Sequence, residues 1–319
     1  MASLDGEAPV KAASTCFVCG GGPLEAATSS YLRCPGCGHE ILKEGQAQTF
    51  MLNDVLDPAE HAKPDLIVRF QSSIVRRVMR KDGLLVDIGS GSGKFLFHNR
   101  AAFRSILGVE VTPENVRYST EVLGLPVRAS LPEDLGVPSV VTLWHSLEHI
   151  PTEALDPILR SLGAACDGDS RLVVSVPNSR SLQHRLLGEG YAYYDVPNHL
   201  HQFSPRSLDL LMRRYGFEEV ESFFSPLYIA FGYAQGALNA VMPIHNYYYY
   251  RRKRGARFGL PPFKLGGLDL VNSALFLGAI PFALALSLVD LTLRDLRGVL
   301  TVCYRKTASR SATPSPPTT

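Results

Sequence analysis

The chain has 319 residues, 45% hydrophobic and 19% charged, with a net charge of +2. Size and composition suit one large globular domain with additions, or two domains, and the charge gives no general drive toward nucleic acid. The first 20 residues hold no apolar run fit for a secretory signal, so export is not expected.

Six cysteines include the pairs Cys16/Cys19 and Cys34/Cys37, separated by 14 residues and flanked by glycines. Paired CxxC knuckles argue for metal in a reducing compartment rather than for disulfides. Four thiolates fill the tetrahedral shell of zinc, and glycines let backbone N–H groups turn toward sulfur. Residues 1–45 therefore read as a zinc ribbon whose closed site, held by Cys16, Cys19, Cys34 and Cys37, is structural. Cys166 and Cys303 read as core residues.

From Lys63 to Arg80, apolar positions follow a helical period, with basic residues on the other face. An apolar run, 84–88, then ends in Asp87-Ile88 and is followed by Gly89, Gly91 and Gly93, which is the punctuation of a buried parallel strand turning into a helix beneath a ligand. Such glycines tolerate positive φ and let a ligand approach the backbone, while the helix start offers free N–H donors. The second strand, 105–110, ends in Glu110, a carboxylate placed to accept from both ribose hydroxyls. Together the two strands describe a nucleoside-binding α/β half-sheet, and Asp87 suits an ammonium better than a pyrophosphate.

Further strands are predicted at 126–129, 138–144, 171–176, 217–224 and 298–305, and helices at 92–102, 113–122, 153–163 and 205–214. Pro113 after Thr112 and Pro205 after Ser204 mark helix starts, and Gly216 marks a stop. Alternating strands and helices predict a mainly parallel, doubly wound sheet. The rhythm breaks at Ser222–Tyr250, which carries no Asp, Glu, Lys or Arg. A basic cluster (251–257) and a second apolar stretch (Leu270–Val289, around Pro281) follow. An apolar block split by a basic cluster suits a membrane surface; the alternative is a pair of buried core helices.

The segments VDIGSGSG (86–93), Glu110, LWHSLEHI (143–150), LVVSVPN (172–178) and DVPNHLHQFS (195–204) together resemble class I S-adenosylmethionine-dependent methyltransferases. The likeness is to their small-molecule group with an EHI signature after the fourth strand, and it covers about 64–224 and 298–306. It implies a Rossmann-like sheet of seven strands, the last inserted antiparallel. The expected layout is the ribbon, a cofactor-binding domain at 46–224, an apolar helical insertion at 225–297, the last strand at 298–307 and a disordered tail at 308–319.

By the same resemblance, Gly89, Gly91 and Gly93 lie under the methionine part of the cofactor, Asp87 meets its amino group and Glu110 its ribose. Ser130 and Leu131 fall at the adenine edge, although the acid usual there is missing. Trp144 and His145 line the cofactor and the methyl-transfer cavity. Methyl transfer from a sulfonium asks the enzyme to hold a nucleophile in line and remove its proton. Imidazole suits a hydroxyl at neutral pH, so His149, His199 and His201 are the candidate catalytic residues.

The expected acceptor is an oxygen on a small or lipid-linked molecule, a glycan or a quinone precursor. The enzyme is expected in the cytoplasm, peripheral on the inner face of the membrane, with anionic head groups as its surface. A single crossing by 270–289 would strand the last strand on the wrong side. Two crossings would carry the basic cluster across the bilayer. Asn239, Asn272 and Pro281 also interrupt clean spans, so an in-plane or re-entrant hairpin fits, with Tyr247–Tyr250 at the interface. Three competing readings are weaker. An RNA methyltransferase would carry an Asn/Asp-Pro-Pro-aromatic box where LWHSLEH stands, and a nicotinamide enzyme needs its third glycine one residue later. A non-catalytic scaffold need not keep both the glycine loop and Glu110.

Overall fold

A computed structural model describes residues 15–44, 57–253 and 255–307. The tail at 308–319 and Arg254 of the basic cluster lie outside the described residues. The central element is a seven-stranded sheet made of β4 (Leu84–Ile88), β5 (Ser105–Val109), β6 (Val127–Arg128), β7 (Pro138–Trp144), β8 (Arg171–Pro177), β10 (Phe217–Phe223) and β11 (Val299–Lys306). Its order is β10-β11-β8-β7-β4-β5-β6. The five strands from β4 to β8 run parallel, and β11 lies antiparallel between β8 and β10. The central strands are nearly continuous apolar runs because both of their faces are covered.

Helix α2 (Leu66–Val78) covers one face. Asp65 caps it by accepting the Val68 N–H at 2.9 Å, and Ile74, Val75 and Val78 pack against Leu85 of β4. Helices α3 (Lys94–Asn99), α4 (Pro113–Arg117), α5 (Thr152–Ala165) and α7 (Pro205–Arg214) lie within the predicted stretches or close to their bounds. A 3-10 turn extends α3 and a π turn extends α4. Thr112 holds the N-cap position of α4 but its side chain makes no capping bond, whereas Ser204 and Ser207 close a reciprocal capping box on α7. Two short helices, α1 (Pro58–Ala62) and α6 (Leu182–Leu187), lie outside the predicted set.

A second sheet of four short strands holds the N-terminal segment: β1 (Glu25–Ala26), β2 (Tyr31–Arg33), β3 (Glu40–Leu42) and β9 (His201–Gln202). The first three come from the cysteine-rich segment, and β9 comes from the stretch after the DVPNH motif. Glu40 pairs with Gln202 and Ile41 with His201, so the ribbon is continuous with the main body through backbone bonds.

The insertion forms helices α8 (Pro226–Asn239), α9 (Tyr247–Lys253) and α10 (Pro262–Val289). Helices α8 and α10 pack together through Ile229, Tyr233 and Ala283, and the Tyr233 hydroxyl donates to Asp290 at 2.9 Å. Three expectations change here. Pro281 does not interrupt α10, which runs unbroken for 28 residues; the proline lies on the exposed face, so its lost hydrogen bond is not trapped in a core. Arg251 is held by Asp269 at 2.9 Å and is not free for head groups. Tyr247 is buried against Asp269 and Tyr250 bonds to Asp195, so these two rings face inward rather than toward an interface. Among the described residues, α10 is the one helix long and apolar enough to cross a membrane, and only 17% of its most apolar window is buried.

Candidate active site and cysteine cluster

β4 sits where the strand order reverses: the chain steps from β4 to β5 on one side and later to β7 on the other. Ligands of open α/β sheets bind in the crevice at the carboxyl ends of the strands at such a switch point. The glycine loop leaves β4 at this place, with Gly89 at φ +74° and Gly93 at φ +79°. A Cβ on Gly89 would stand 2.4 Å from Cβ of Ser146, and one on Gly93 2.7 Å from Cδ1 of Leu125. Both positions therefore need glycine for space as well as for φ.

Glu110 accepts the N–H groups of Gly91 at 2.8 Å and Thr112 at 2.7 Å, which fixes the loop beside the end of β5. Asp87 is buried, and its visible partner is the Thr142 hydroxyl, which donates at 2.6 Å. Burial pushes its carboxyl up to about 7, against the pull of Thr142 and with the charge of Glu110 adding to the rise. A buried acid with no cation beside it fits a ligand that brings one, as the ammonium of S-adenosylmethionine does. Trp144 stacks edge-on against Phe95, and its indole N–H is buried without a protein partner. Ser130, Leu131, Trp144 and His145 all line the same cavity of about 2130 Å³ as the glycine loop.

His145 follows the end of β7 at φ +50°, a left-handed conformation unusual for a residue with a side chain. Its Nδ1 lies 3.2 Å from Glu148 Oε1. Glu148 is fully buried; burial favours its neutral form, but the His145 bond and the charges of His145, His149 and His199 outweigh it and hold the acid down at about 2. His149 and His199 meet edge to face with ring centroids 4.6 Å apart. Burial, helped by His149, brings the His199 imidazole down to about 4.

His201 is placed apart from that pair. Its Nδ1 faces Nε2 of His39 at 3.2 Å and its Nε2 faces the Thr152 hydroxyl at 3.5 Å, under the ribbon. Burial, with His39 adding to it, brings His201 down to about 3. Both ring nitrogens are thus turned to protein partners at the junction of the two sheets.

Sequence reasoning missed the far wall of the cavity, which includes Tyr193 and, from the insertion, Tyr228, Phe231 and Tyr249. It also missed Thr142 as the partner of Asp87. The polar spacing of Gln235, Asn239 and Asn246 within an otherwise apolar block was the available signal that one face of it is not lipid-like.

The cysteine cluster is built from two matching turns. Cys16 N–H donates to Gly21 O and Cys34 N–H to His39 O; Gly20 and Gly38 N–H close back on the carbonyls of Cys16 and Cys34. Sγ of Cys16 and Cys37 lie 3.6 Å apart, and those of Cys19 and Cys34 3.5 Å apart. A tetrahedron with arms of ~2.3 Å has edges of about 3.8 Å, so the four sulfurs fit one zinc ion. The contact with Cys37 pulls the Cys16 thiol down and pushes Cys37 up.

A family model described as a methyltransferase domain matches residues 59–222, more than half of the chain. No curated protein sequence matches it. Among solved structures, the chain is similar to an S-adenosylmethionine-dependent methyltransferase from Archaeoglobus fulgidus, at 17% identity and a TM-score of 0.44 over 75% of this chain and 94% of that one. It is also similar to a putative sarcosine dimethylglycine methyltransferase from Galdieria sulphuraria, at 10% identity and a TM-score of 0.47 over 81% and 94%. A third likeness is to magnesium protoporphyrin IX methyltransferase from Synechocystis PCC 6803 with bound S-adenosylhomocysteine, at 19% identity and a TM-score of 0.40 over 50% and 75%. These overlaps are loose, and the assignment rests on the domain match together with the site geometry. The chain belongs to the methyltransferase-domain family and is an S-adenosylmethionine-dependent methyltransferase.

Proposed function

We propose that the enzyme transfers the cofactor's methyl group to an oxygen of a small or lipid-linked acceptor, of the glycan or quinone-precursor type, at the cytoplasmic surface of a membrane. The observation that carries this reading is the continuity of one cavity. Gly89, Gly91 and Glu110 line it, and so do Tyr228, Phe231 and Tyr249 of the apolar insertion. A cofactor occupies part of about 2130 Å³, which leaves room for a large, partly apolar acceptor.

In this reading Asp87 binds the ammonium of the cofactor, Glu110 the ribose hydroxyls, and Ser130 and Leu131 the adenine edge. Trp144 and His145 border the transferring methyl. His149 and His199 line the same space and hold the acceptor hydroxyl, one of them taking its proton. His201 serves as a positioning residue at the ribbon junction. A zinc ion on Cys16, Cys19, Cys34 and Cys37 stiffens the ribbon and, through β3 and β9, the segment that carries His199.

The membrane part of the proposal rests on α10. Phe263 (75% exposed), Leu277 (67%) and Phe282 (74%) stand exposed along it, apolar side chains that a lipid boundary would cover. The packing of α8 against α10 suits a helical hairpin lying in the interface.

The test is transfer of labelled methyl from S-adenosylmethionine to extracts. Label in the lipid-soluble or small-molecule fraction is expected. Label confined to tRNA or rRNA would overturn the assignment.

A further inference from the structure

We propose that Glu148, His149 and His199 form a second metal site, separate from the cysteine cluster, which takes one divalent transition ion and presents it to the acceptor oxygen. One donor atom from each residue lies within 4.8 Å of the other two. An ion about 2.1 Å from each donor would draw them somewhat closer.

The hydrogen bonds say which atoms remain to bind. His149 Nδ1 lies 2.8 Å from the carbonyl of Asn198, and His199 Nδ1 2.9 Å from the carbonyl of Tyr193. A carbonyl only accepts, so both Nδ1 atoms carry the proton and both Nε2 atoms keep a free lone pair. That is the arrangement of imidazoles that ligate metals, which donate their other N–H to a carbonyl or carboxylate. Glu148 spends Oε1 on His145, while its Oε2 is buried with no hydrogen-bond partner. A fully buried carboxylate oxygen left without a partner is costly, and a cation is what would satisfy it.

The backbone holds these three side chains together. Leu200 N–H donates to the Glu148 carbonyl at 2.8 Å, which pins the segment of His199 against the turn after β7. The Tyr31 hydroxyl of the ribbon donates to the carbonyl of His199 itself at 2.7 Å. His149 and His199 both line the cavity that holds the glycine loop, so coordination positions not filled by protein open toward the substrates. Two imidazoles and one carboxylate favour zinc, cobalt, iron(II) or manganese over calcium or magnesium, which prefer oxygen donors.

The use of the ion in the reaction rests on the proposed O-methylation; its binding does not. With the ion bound, His149 and His199 would serve as its ligands and no longer as the base, and the ion would acidify a coordinated acceptor hydroxyl so that its proton passes to water in the open cavity. The oxygen then attacks the methyl carbon. The C–O bond forms, the C–S bond breaks, and its electron pair stays on sulfur as the neutral thioether of S-adenosylhomocysteine.

Cobalt(II) titration of the full chain, with its cysteine cluster already loaded with zinc, tests the site. The expected result is a visible absorption that saturates at one equivalent and lacks thiolate charge transfer. Pulsed electron paramagnetic resonance on the same sample should detect coupling to imidazole nitrogen. Glu148→Gln and His199→Gln should each weaken cobalt binding by ~100-fold or more, beyond the ~10–100-fold that changes to outer hydrogen-bond partners cause. Calorimetry with S-adenosylhomocysteine on the same variants reports whether the fold is kept. No saturable cobalt signal in the wild type, or no imidazole coupling, overturns the proposal; so does an unchanged signal in both variants. Failure of the wild type to bind S-adenosylhomocysteine would instead count against the cofactor reading and leave the metal result standing.

Discussion

The hydroxyl of Tyr250 lies 2.7 and 2.5 Å from the two carboxylate oxygens of Asp195. Asn198 and Asn246 complete the shell of the same acid at 3.0 and 3.1 Å. One residue of the insertion is thereby fastened to the segment that carries His199. Tyr250→Phe removes a hydrogen bond to a charged group, worth about 1.5–3 kcal/mol. Urea unfolding should register that loss, and the KM for the acceptor should rise while cofactor affinity stays unchanged. Equal stability of the variant would mean that water replaces the hydroxyl without cost.

Asp87 sets a pH dependence whose sign follows from its burial. Its pKa in the folded chain, about 7, stands above the ordinary 3.8. Between those values the folded chain keeps a proton that the unfolded chain releases, so the contribution of Asp87 to apo stability falls as pH rises through that window. The cofactor ammonium favours the ionised acid. Its affinity should therefore increase by up to about tenfold per pH unit from pH 5 to 7 and then level off, with proton release on binding. Asp87→Asn should bind more weakly and lose that slope. Calorimetry in buffers of different ionisation enthalpy measures both; a flat wild-type profile would refute the role given to Asp87.

Removal of the zinc proposed for the cysteine cluster should be felt beyond the ribbon. Because β3 pairs with β9, hydrogen exchange should quicken both in residues 15–44 and at His201–Gln202, while β4, β7 and β8 stay protected. Cys34→Ser should give the same pattern. Exchange confined to the ribbon would show that the two sheets are not coupled.

The membrane affinity proposed for the enzyme should reside in helix α10. Leu277→Lys combined with Phe282→Asp places charge at two exposed apolar positions and should release the enzyme from anionic vesicles in flotation, without altering cofactor binding. Wild-type enzyme that stays soluble, monomeric and unbound at low salt would remove the membrane proposal.

The strands at 84–88 and 138–144 were legible to the residue, because strands covered on both faces are written as unbroken apolar runs closed by an acid or a polar turn. The glycine loop and Glu110 were legible for the same local reason. β9 was not: it has two residues, and its partner β3 lies about 160 positions away, so no local pattern marks it. Nor could spacing show that His201 turns to His39 while His149 and His199 face each other. That division is set by which partner each ring nitrogen meets, a carbonyl for His149 and His199 and His39 for His201, and only the packed chain decides it. The tyrosines of α9 misled because their composition matches a membrane interface, whereas Asp195 and Asp269 draw two of them inward.

β10 and β11 are neighbours in the sheet, with Phe223 opposite Thr301. The whole insertion is therefore an enlarged hairpin loop whose two ends already stand side by side. Enlarging or shrinking such a loop changes the closure entropy by only about 0.6 kcal/mol per doubling of length. Chain closure thus places little constraint on what hangs from this edge; the constraint lies in contacts such as that of Tyr250 with Asp195. A different hairpin grafted between the same two strands therefore costs little in chain closure, but it replaces the part of the cavity wall that Tyr228, Phe231 and Tyr249 form.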